Sequence, residues 1–182
     1  MKKVIACLFS LLLPFTVLAD AAEDRKEINE MRDKTLAKLY QEQPSVKKKV
    51  AKSAGYATFS NIGVNVVFFS AGGGSGVVRN NKTGKDTYMS MGTAGIGIGL
   101  GVKDFNAVFI FKTEKAMNSF IEDGWDFSGQ ADAAAKSGKK GGEGSAAGTV
   151  VKDVEIYQMT ENGLALQATL QGTKYWKNDD LN

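Results

Sequence analysis

The sequence contains no histidine and only one cysteine, and these absences exclude most of the common catalytic and metal-binding chemistries. The cysteine, Cys7, lies in an N-terminal apolar stretch that we expect to be removed. The remaining chain can form no disulfide, thiol nucleophile, Cys/His zinc site or imidazole general base. Catalysis would have to use lysine, serine or carboxylate groups, and none of these has a partner at a suitable spacing. We therefore predict that the protein is not an enzyme and has no catalytic residue, metal or cofactor.

The first 19 residues have the composition of a signal peptide. Lys2 and Lys3 precede an apolar stretch from Val4 to Phe15, and Ala19 is a small residue at the expected cleavage point. A lipoprotein attachment site at Cys7 fits less well, because the apolar stretch continues beyond it. We expect export to the periplasm or the extracellular space, peripheral to a membrane. Removal of two lysines and no acid lowers the net charge from +3 to +1.

Two helices are predicted at the start of the mature chain. From Ala21 to Gln43, apolar residues recur every three or four positions, as in an amphipathic helix. Pro44 ends this helix, and Ser45 is expected to cap a shorter one that Gly55 closes. The apolar stripe of the first helix comprises Ile28, Met31, Thr35 and Leu39, with Leu36 and Tyr40 beside it. The predicted solvent side of the second helix comprises Lys47, Lys48, Lys49 and Lys52.

From Tyr56 onward the apolar pattern changes to the two-residue period of β-strands. The polar segment NNKTGKD is expected to form a hairpin tip, and the runs TVVKDVEIYQM and LALQATLQG are expected to be two strands joined at Asn162-Gly163. One helix, capped by Thr113 and ended by Gly124, interrupts the strands. The expected fold class is α+β, with N-terminal helices packed on a mainly antiparallel, glycine-rich β-sheet or partial barrel with one inserted helix.

The predicted organisation is a signal peptide at 1–19 and a single domain at 20–182. Within that domain, residues 20–55 form a helical N-terminal part and residues 56–182 a sheet-rich core. The segment KSGKKGGEGSAAG, residues 136–148, has nothing to bury and is expected to be a flexible surface loop.

Four glycines alternate with apolar residues in the stretch MGTAGIGIGLGVKDF. A dinucleotide-binding loop requires G-x-G-x-x-G, and no reading of this stretch supplies the last glycine. The uncharged run is about fifteen residues, whereas a membrane helix needs roughly 20. In a strand, by contrast, all four glycines fall on one face. That face could accept a closely packed helix or strand, or form a groove for an acyl chain or headgroup. The glycines are Gly95, Gly97, Gly99 and Gly101.

Basic residues cluster on the second helix and at the predicted hairpin. The clusters comprise Lys47, Lys48, Lys49 and Lys52 on the helix and Arg79, Lys82 and Lys85 at the hairpin, with three more lysines in the loop at 136–148. A lysine near an anionic membrane surface contributes about 1 kcal/mol. These residues are therefore candidates for electrostatic docking, assisted by the apolar stripe of the first helix; a solvated face is the alternative. Nucleic acid is excluded as a partner, because the chain is nearly neutral and exported.

The order of several motifs resembles the SYLF domain family. The motifs are AKSAGYATFSNIGVN, GGGSGVVR, a glycine-rich strand, FKTEKAMNSFIEDG and VEIYQMTENGLALQATLQGTKYW. The resemblance extends from about Met31 to Asn182, and its most specific parts are Gly72–Arg79 and Tyr157–Leu164.

This resemblance implies a lipid-binding module. Eukaryotic relatives bind phosphoinositides through a basic N-terminal helical region, some relatives bind actin, and bacterial members are usually exported. The positions that match the basic region are the four lysines of the second helix. The implied partner is an anionic phospholipid or a membrane surface. A structural or protein-interaction role in the bacterial envelope, with an envelope protein as partner, is the alternative, and actin is not expected as a partner there.

Overall fold

The computed structural model describes residues 13–66, 69–96, 105–127, 149–151, 153–160, 163–164 and 172–182. In these residues the helices are α1 (Leu13–Glu42), α2 (Val46–Lys52) and α3 (Glu114–Asp123), and a 3-10 turn covers Asp179–Leu181. All three helices were expected from the sequence. The first begins earlier than Ala21, so it extends into the predicted signal peptide; cleavage after Ala19 stays a prediction.

The described strands form one antiparallel sheet, as predicted for the fold class. They are β1 (Gly55–Val66), β2 (Phe69–Asn80), β3 (Asp86–Ile96), β4 (Phe105–Phe111), β5 (Trp125–Asp126), β6 (Thr149–Val151), β7 (Val154–Thr160), β8 (Gly163–Leu164) and β9 (Thr173–Lys177). The order across the sheet is β5-β9-β3-β2-β1-β4-β7-β6, and β8 pairs with β7. The turn at residues 81–85 joins β2 to β3 and is the predicted hairpin tip.

The structure corrects one predicted strand. The run TVVKDVEIYQM is two strands, because β6 turns back on β7 with Val151 opposite Val154. Asp153, in the turn, has φ of 64°, a left-handed conformation that aspartate tolerates better than most residues. The short strands β5 and β9 were not predicted. The remainder of LALQATLQG beyond Leu164, and the predicted loop at 136–148, lie outside the described residues.

The sheet is strongly curled into a half-barrel. Phe109 on β4 and Tyr175 on β9 have ring centroids 5.2 Å apart, although three strands lie between them. In a flat sheet four strand spacings would separate these positions by about 19 Å. The face that carries these two rings is therefore concave, and the opposite face is convex.

Glycines of β2 make this curvature possible. A Cβ atom on Gly76 would lie 2.3 Å from the Phe59 ring, and one on Gly74 would lie 1.9 Å from the carbonyl oxygen of Ser60. Both glycines are on the concave face, where neighbouring strands bend towards one another. No side chain fits at these two positions, so Gly74 and Gly76 allow close packing between strands.

Helix α3 fills the concave face. The Thr113 hydroxyl accepts a hydrogen bond from the Ala116 amide, and Gly124 ends the helix with φ of 65°, as the sequence predicted. Met117 and Phe120 are buried in a cluster of aromatic and aliphatic side chains from β1, β4 and β9. This cluster is the largest hydrophobic core in the described residues.

Helices α1 and α2 cover the convex face. The predicted stripe of α1 packs on the sheet, with Ile28, Leu36 and Leu39 all less than a tenth exposed. Polar contacts fasten the helix at two points: Arg25 donates to the Leu181 carbonyl (2.9 Å) and Lys38 to the Thr160 carbonyl (3.1 Å). Because the apolar stripe is packed against the sheet, α1 cannot offer it to a membrane in this structure. This differs from the expected docking mechanism, in which the stripe assists the lysines.

Candidate functional site

Helix α2 anchors its apolar side and exposes lysines. Val46 and Val50 are buried in the cluster that contains Ile110 and Tyr157, whereas Lys47, Lys48 and Lys52 are exposed. Ser45 does not cap the helix as expected: its backbone is helical and its side chain makes no capping hydrogen bond. The helix is therefore held by tertiary contacts, since seven residues are too few for a stable isolated helix.

The C-terminal end of α2 is joined to the hairpin tip by Asn81. Its amide Nδ2 lies 2.7 Å from the Val50 carbonyl and 3.1 Å from the Ser53 carbonyl, and its backbone N–H donates to the Ala54 carbonyl (3.1 Å). Asn81 thus adds a partner at the end of the helix, where the Val50 carbonyl also accepts hydrogen bonds from the Ser53 amide and hydroxyl. The contacts bring two lysine clusters, far apart in the sequence, to one end of the sheet.

We call the resulting group of exposed lysines the basic surface. It comprises Lys47, Lys48 and Lys52 of α2, Lys82 and Lys85 of the hairpin tip, and Lys115 in the first turn of α3. Sequence reasoning missed Lys115, although the pairing of Gly55 with both Asn80 and Phe111 brings its segment to the same end. Within the described residues, Lys82 is the member with an ion pair, to Glu114 at 3.2 Å, and both partners are largely exposed. Such a pair adds little stability.

Lys49 departs from its predicted place on the solvent side. Its Nζ lies 2.7 Å from Glu155 Oε2 and 3.1 Å from the Tyr157 hydroxyl, above the Tyr157 ring. Partial burial lowers the pKa of Lys49, but the hydrogen bonds to Glu155 and Tyr157 outweigh this effect and raise it overall. Lys49 is therefore charged and already paired, so its contact is structural in this conformation.

Glu155 is the centre of this charged group. It also pairs with Lys112 (3.3 Å) and accepts a hydrogen bond from the Tyr157 hydroxyl (3.0 Å). Partial burial favours the neutral carboxyl, but the hydrogen bonds from Lys49 and Tyr157 and the charge of Lys49 prevail, so the pKa of Glu155 is lowered. The group fastens α2 to β7 and to the segment that precedes α3.

Arg79 is partly buried and, like Lys49, pairs with an acid. Its guanidinium forms a two-point contact with Asp86, with Nε 2.6 Å from Oδ1 and Nη2 2.9 Å from Oδ2. Arg32 of α1 reaches the same carboxylate at 3.3 Å. Of the seven predicted basic residues, Arg79 and Lys49 thus link structural elements, and the other five lie on the basic surface.

Of the predicted glycine face, Gly95 lies at the other end of the sheet. β3 begins at the hairpin tip and ends at Ile96, so Gly95, opposite Ser70, is remote from the basic surface. Gly97, Gly99 and Gly101 lie outside the described residues. Gly95 and the lysines therefore do not form one site.

A shallow groove of about 460 Å³ runs beside α1 on the convex face. It is lined by Glu27, Glu30, Met31, Lys34, Thr35 and Lys38 of the helix and by Asn106 of β4. Its charges are mixed in sign, so it offers no concentrated field to a charged ligand. In the part of the chain that the structure describes, no three potential metal ligands cluster, and no helix has the length and apolarity to cross a membrane.

Comparison with known proteins reveals two similarities. A family model described as "Ysc84: Las17-binding protein actin regulator" matches residues 92–182. "Beta cell expansion factor A" of Aeromonas veronii is 37% identical over 161 residues, which cover 88% of this chain and 60% of that protein. The chain thus spans well under two thirds of that relative's length. The family match begins within β3, so α1, α2 and the hairpin tip precede it.

Proposed function

Because the chain belongs to the Ysc84 (SYLF) family, we propose that it is a non-enzymatic module that docks its basic surface on anionic phospholipid of the cell envelope. Family membership supports the general class, a lipid- or actin-related binding module. The observation that carries the lipid proposal is the convergence of α2 and the hairpin tip. It places Lys47, Lys48, Lys52 and Lys85 at one end of the sheet, with no ion-pair partner among the described residues.

An extended phosphate plane suits this surface better than a single small anion. The lysines are exposed and project from three separate elements, so their charges are spread over a surface. Flexible lysines at such positions attract a negatively charged bilayer, each by about 1 kcal/mol. The outer side of α1 opposes this attraction, because it exposes seven acids and two lysines: Asp20, Glu23, Asp24, Glu27, Glu30, Asp33 and Glu42 against Lys26 and Lys34. Docking therefore occurs through the hairpin end.

Vesicle co-sedimentation tests the proposal. Binding should increase with the phosphatidylglycerol or cardiolipin content of phosphatidylcholine vesicles and decrease as salt screens the charges. The variant Lys47→Gln/Lys48→Gln/Lys52→Gln/Lys85→Gln breaks no ion pair in the described structure and should weaken binding at low salt by about a hundredfold or more. Inorganic phosphate at millimolar concentration should compete only weakly, since the described lysines are exposed and spread over three elements.

A matched control removes the same charge from elsewhere. Lys26, Lys34, Lys174 and Lys177 are exposed and lie outside the basic surface. Lys174 pairs with Asp126 at 3.4 Å, but both partners are largely exposed, so the loss of this pair should cost little stability. Changing these four to glutamine should weaken binding far less than the first variant does. Equal loss in both variants would show that only net charge matters, and binding indifferent to lipid charge would refute the proposal.

A protein ligand is the second candidate, favoured by the words "Las17-binding" in the family description. In that case the chain would be a structural or interaction module of the envelope with no specific lipid. Pull-down from envelope extracts, with the quadruple lysine variant as a control, distinguishes a protein ligand from a lipid ligand. A partner retained by the variant, together with no vesicle binding, would favour this candidate.

Export through the signal peptide at 1–19 is part of the proposal. Its support is the Lys2–Lys3 start, the apolar stretch and Ala19 at the cleavage point. Mass spectrometry of the protein from the periplasm or medium should give a chain that begins at Asp20. A chain found only in the cytoplasm and retaining Met1 would contradict export.

A further inference from the structure

We propose that Asn81 is the positioning residue that makes the basic surface a single docking unit. This inference rests on the proposed function and adds a residue that carries no charge. The surface has two main lobes: the α2 lobe (Lys47, Lys48, Lys52) and the tip lobe (Lys82, Lys85). Neither lobe contains a residue that touches the other in the described contacts; Asn81 lies between them.

The geometry gives Asn81 an unusual number of contacts for an exposed side chain. Its Nδ2 group is 2.7 Å from the Val50 carbonyl, 3.1 Å from the Ser53 carbonyl and 3.2 Å from Ser53 Oγ. Its backbone N–H reaches the Ala54 carbonyl. The side chain therefore caps the end of α2, and the main chain fixes the hairpin tip against the residue that follows that cap.

The cap has a special importance in this helix. Lys48 and Lys52 are four residues apart and repel each other, and Ser45 makes no side-chain cap at the opposite end. Without the Asn81 amide, the Val50 carbonyl would keep the hydrogen bonds from the Ser53 amide and hydroxyl, but the side-chain link between the last turn of α2 and the hairpin tip would be lost. Lys52, which lies in that turn, would then be held less firmly relative to the tip that carries Lys82 and Lys85.

Two lobes held together act on a membrane as one multivalent ligand. Once one lobe is bound, the other is already at the surface, so its contacts form without a second loss of freedom. Each lysine contributes about fivefold in affinity when it contacts an anionic surface. A flexible connection would leave the same lysines present but would let them contact the surface less often together.

Vesicle binding by Asn81→Ala tests this inference. On vesicles containing phosphatidylglycerol, we expect about fivefold to tenfold weaker binding. We also expect a shallower dependence of log affinity on log salt concentration, because fewer charges contact the surface at once. A loss of folded protein alone would lower the bound fraction without changing that slope. Asn81→Gln, which keeps the amide, should recover part of both the affinity and the slope.

A second comparison measures the coupling between the lobes. Lys82→Gln/Lys85→Gln should weaken the wild type by about 25-fold and the Asn81→Ala protein by less than about fivefold, because contacts that depend on each other are not additive. Asn118→Ala, on an exposed position of α3 with no described hydrogen bond, is the matched control and should behave as wild type.

The outcomes separate this inference from the proposed function. Salt-sensitive wild-type binding with an unchanged slope in Asn81→Ala, or equal effects of the tip substitution in both backgrounds, overturns the role of Asn81 alone. Absence of wild-type binding to anionic vesicles overturns the proposed function, and the docking role of Asn81 with it. A shallower slope with partial recovery by Asn81→Gln supports both.

Discussion

The concave and convex faces of the sheet are stabilised by different interactions. On the concave face, rings of Phe59, Phe109, Phe120 and Tyr175 contact one another, and the cluster contains no charged side chain. On the convex face, the apolar stripes of α1 and α2 are supplemented by ion pairs such as Arg32–Asp86 and Lys49–Glu155. Aromatic packing excludes water, whereas partly exposed ion pairs depend on salt and pH. The concave core therefore provides most of the stability of the fold. The charged groups that can respond to a partner lie on the convex side and at its hairpin end.

The largest effect is expected from Phe120→Ala on the concave face. Phe120 is fully buried and contacts five rings, so truncation leaves a cavity and should lower the free energy of unfolding by about 3–5 kcal/mol. Urea denaturation measures the change. Glu122→Gln, exposed on the same helix, should stay within about 0.5 kcal/mol of wild type. If Phe120→Ala lowers the free energy of unfolding less than Leu36→Ala on the convex face does, the concave core is not the main source of stability.

Two glycines of one strand provide the next test. Gly76 faces the concave side, where an added Cβ would lie 2.3 Å from the Phe59 ring, while Gly73 faces open space with nothing within 4 Å. Gly76→Ala should destabilise the protein by about 1–3 kcal/mol, because the curled strands cannot move apart. Gly73→Ala should be neutral or stabilising by up to about 1 kcal/mol, because it restricts the unfolded chain. Thermal unfolding of the two variants in parallel measures the difference. Equal destabilisation by both substitutions would show that the close packing is not confined to the concave face.

The charged group on the convex face should depend on pH. The pKa of Glu155 is lowered in the folded protein, so its stabilising effect is complete above its unfolded pKa, about 4.3, and is lost as the pH falls through the folded value. Glu155→Gln should cost about 1 kcal/mol at pH 7, and the difference from wild type should shrink towards zero below about pH 4. Denaturation at pH 7, 5 and 3 measures it. If the difference in free energy of unfolding between wild type and Glu155→Gln stays constant over this range, the ion pairs of Glu155 do not stabilise the fold.

The smallest effects distinguish two neighbouring lysines. Lys49 pairs with Glu155, whereas Lys48 is exposed without an ion pair in the described structure. Lys49→Gln should lower the free energy of unfolding by about 1 kcal/mol, and Lys48→Gln should change it by less than about 0.5 kcal/mol. Vesicle binding should show the reverse order, with the larger loss for Lys48→Gln. Equal behaviour in both measurements would mean that α2 is not held as the structure indicates.

Local patterns predicted much of the architecture. The period of α1 and the Thr113 cap and Gly124 end of α3 are confirmed, because each depends on residues close together in the chain. The antiparallel sheet is also confirmed, although pairs such as β3 with β9 join distant segments. Family membership, inferred from the order of motifs, is also confirmed. The hairpin at Asp153 was missed, because the apolar alternation on its two sides is compatible with one continuous strand.

The candidate site was predicted only in part. Five of the seven basic residues chosen from the sequence lie on the basic surface, but Lys49 and Arg79 are engaged by Glu155 and Asp86. The separation between Lys49 and Glu155 is 106 residues, far beyond the range of any helical or strand period. A pattern of charges identifies lysines that avoid the core, and it does not show which of them meet an acid across the fold.

The sequence by itself determined the chemical inventory: a chain without histidine, with lysines concentrated on a short helix and a hairpin, and with apolar periods that specify helices and strands. Only the tertiary structure decided that the sheet curls around α3 and that Asn81 joins the lysine helix to the hairpin tip across 31 residues. The reason is physical. Secondary structure follows from neighbours in the chain, whereas the curvature of the sheet and the convergence of the lysines depend on how distant segments pack. Gly74 and Gly76 permit that packing but do not specify it.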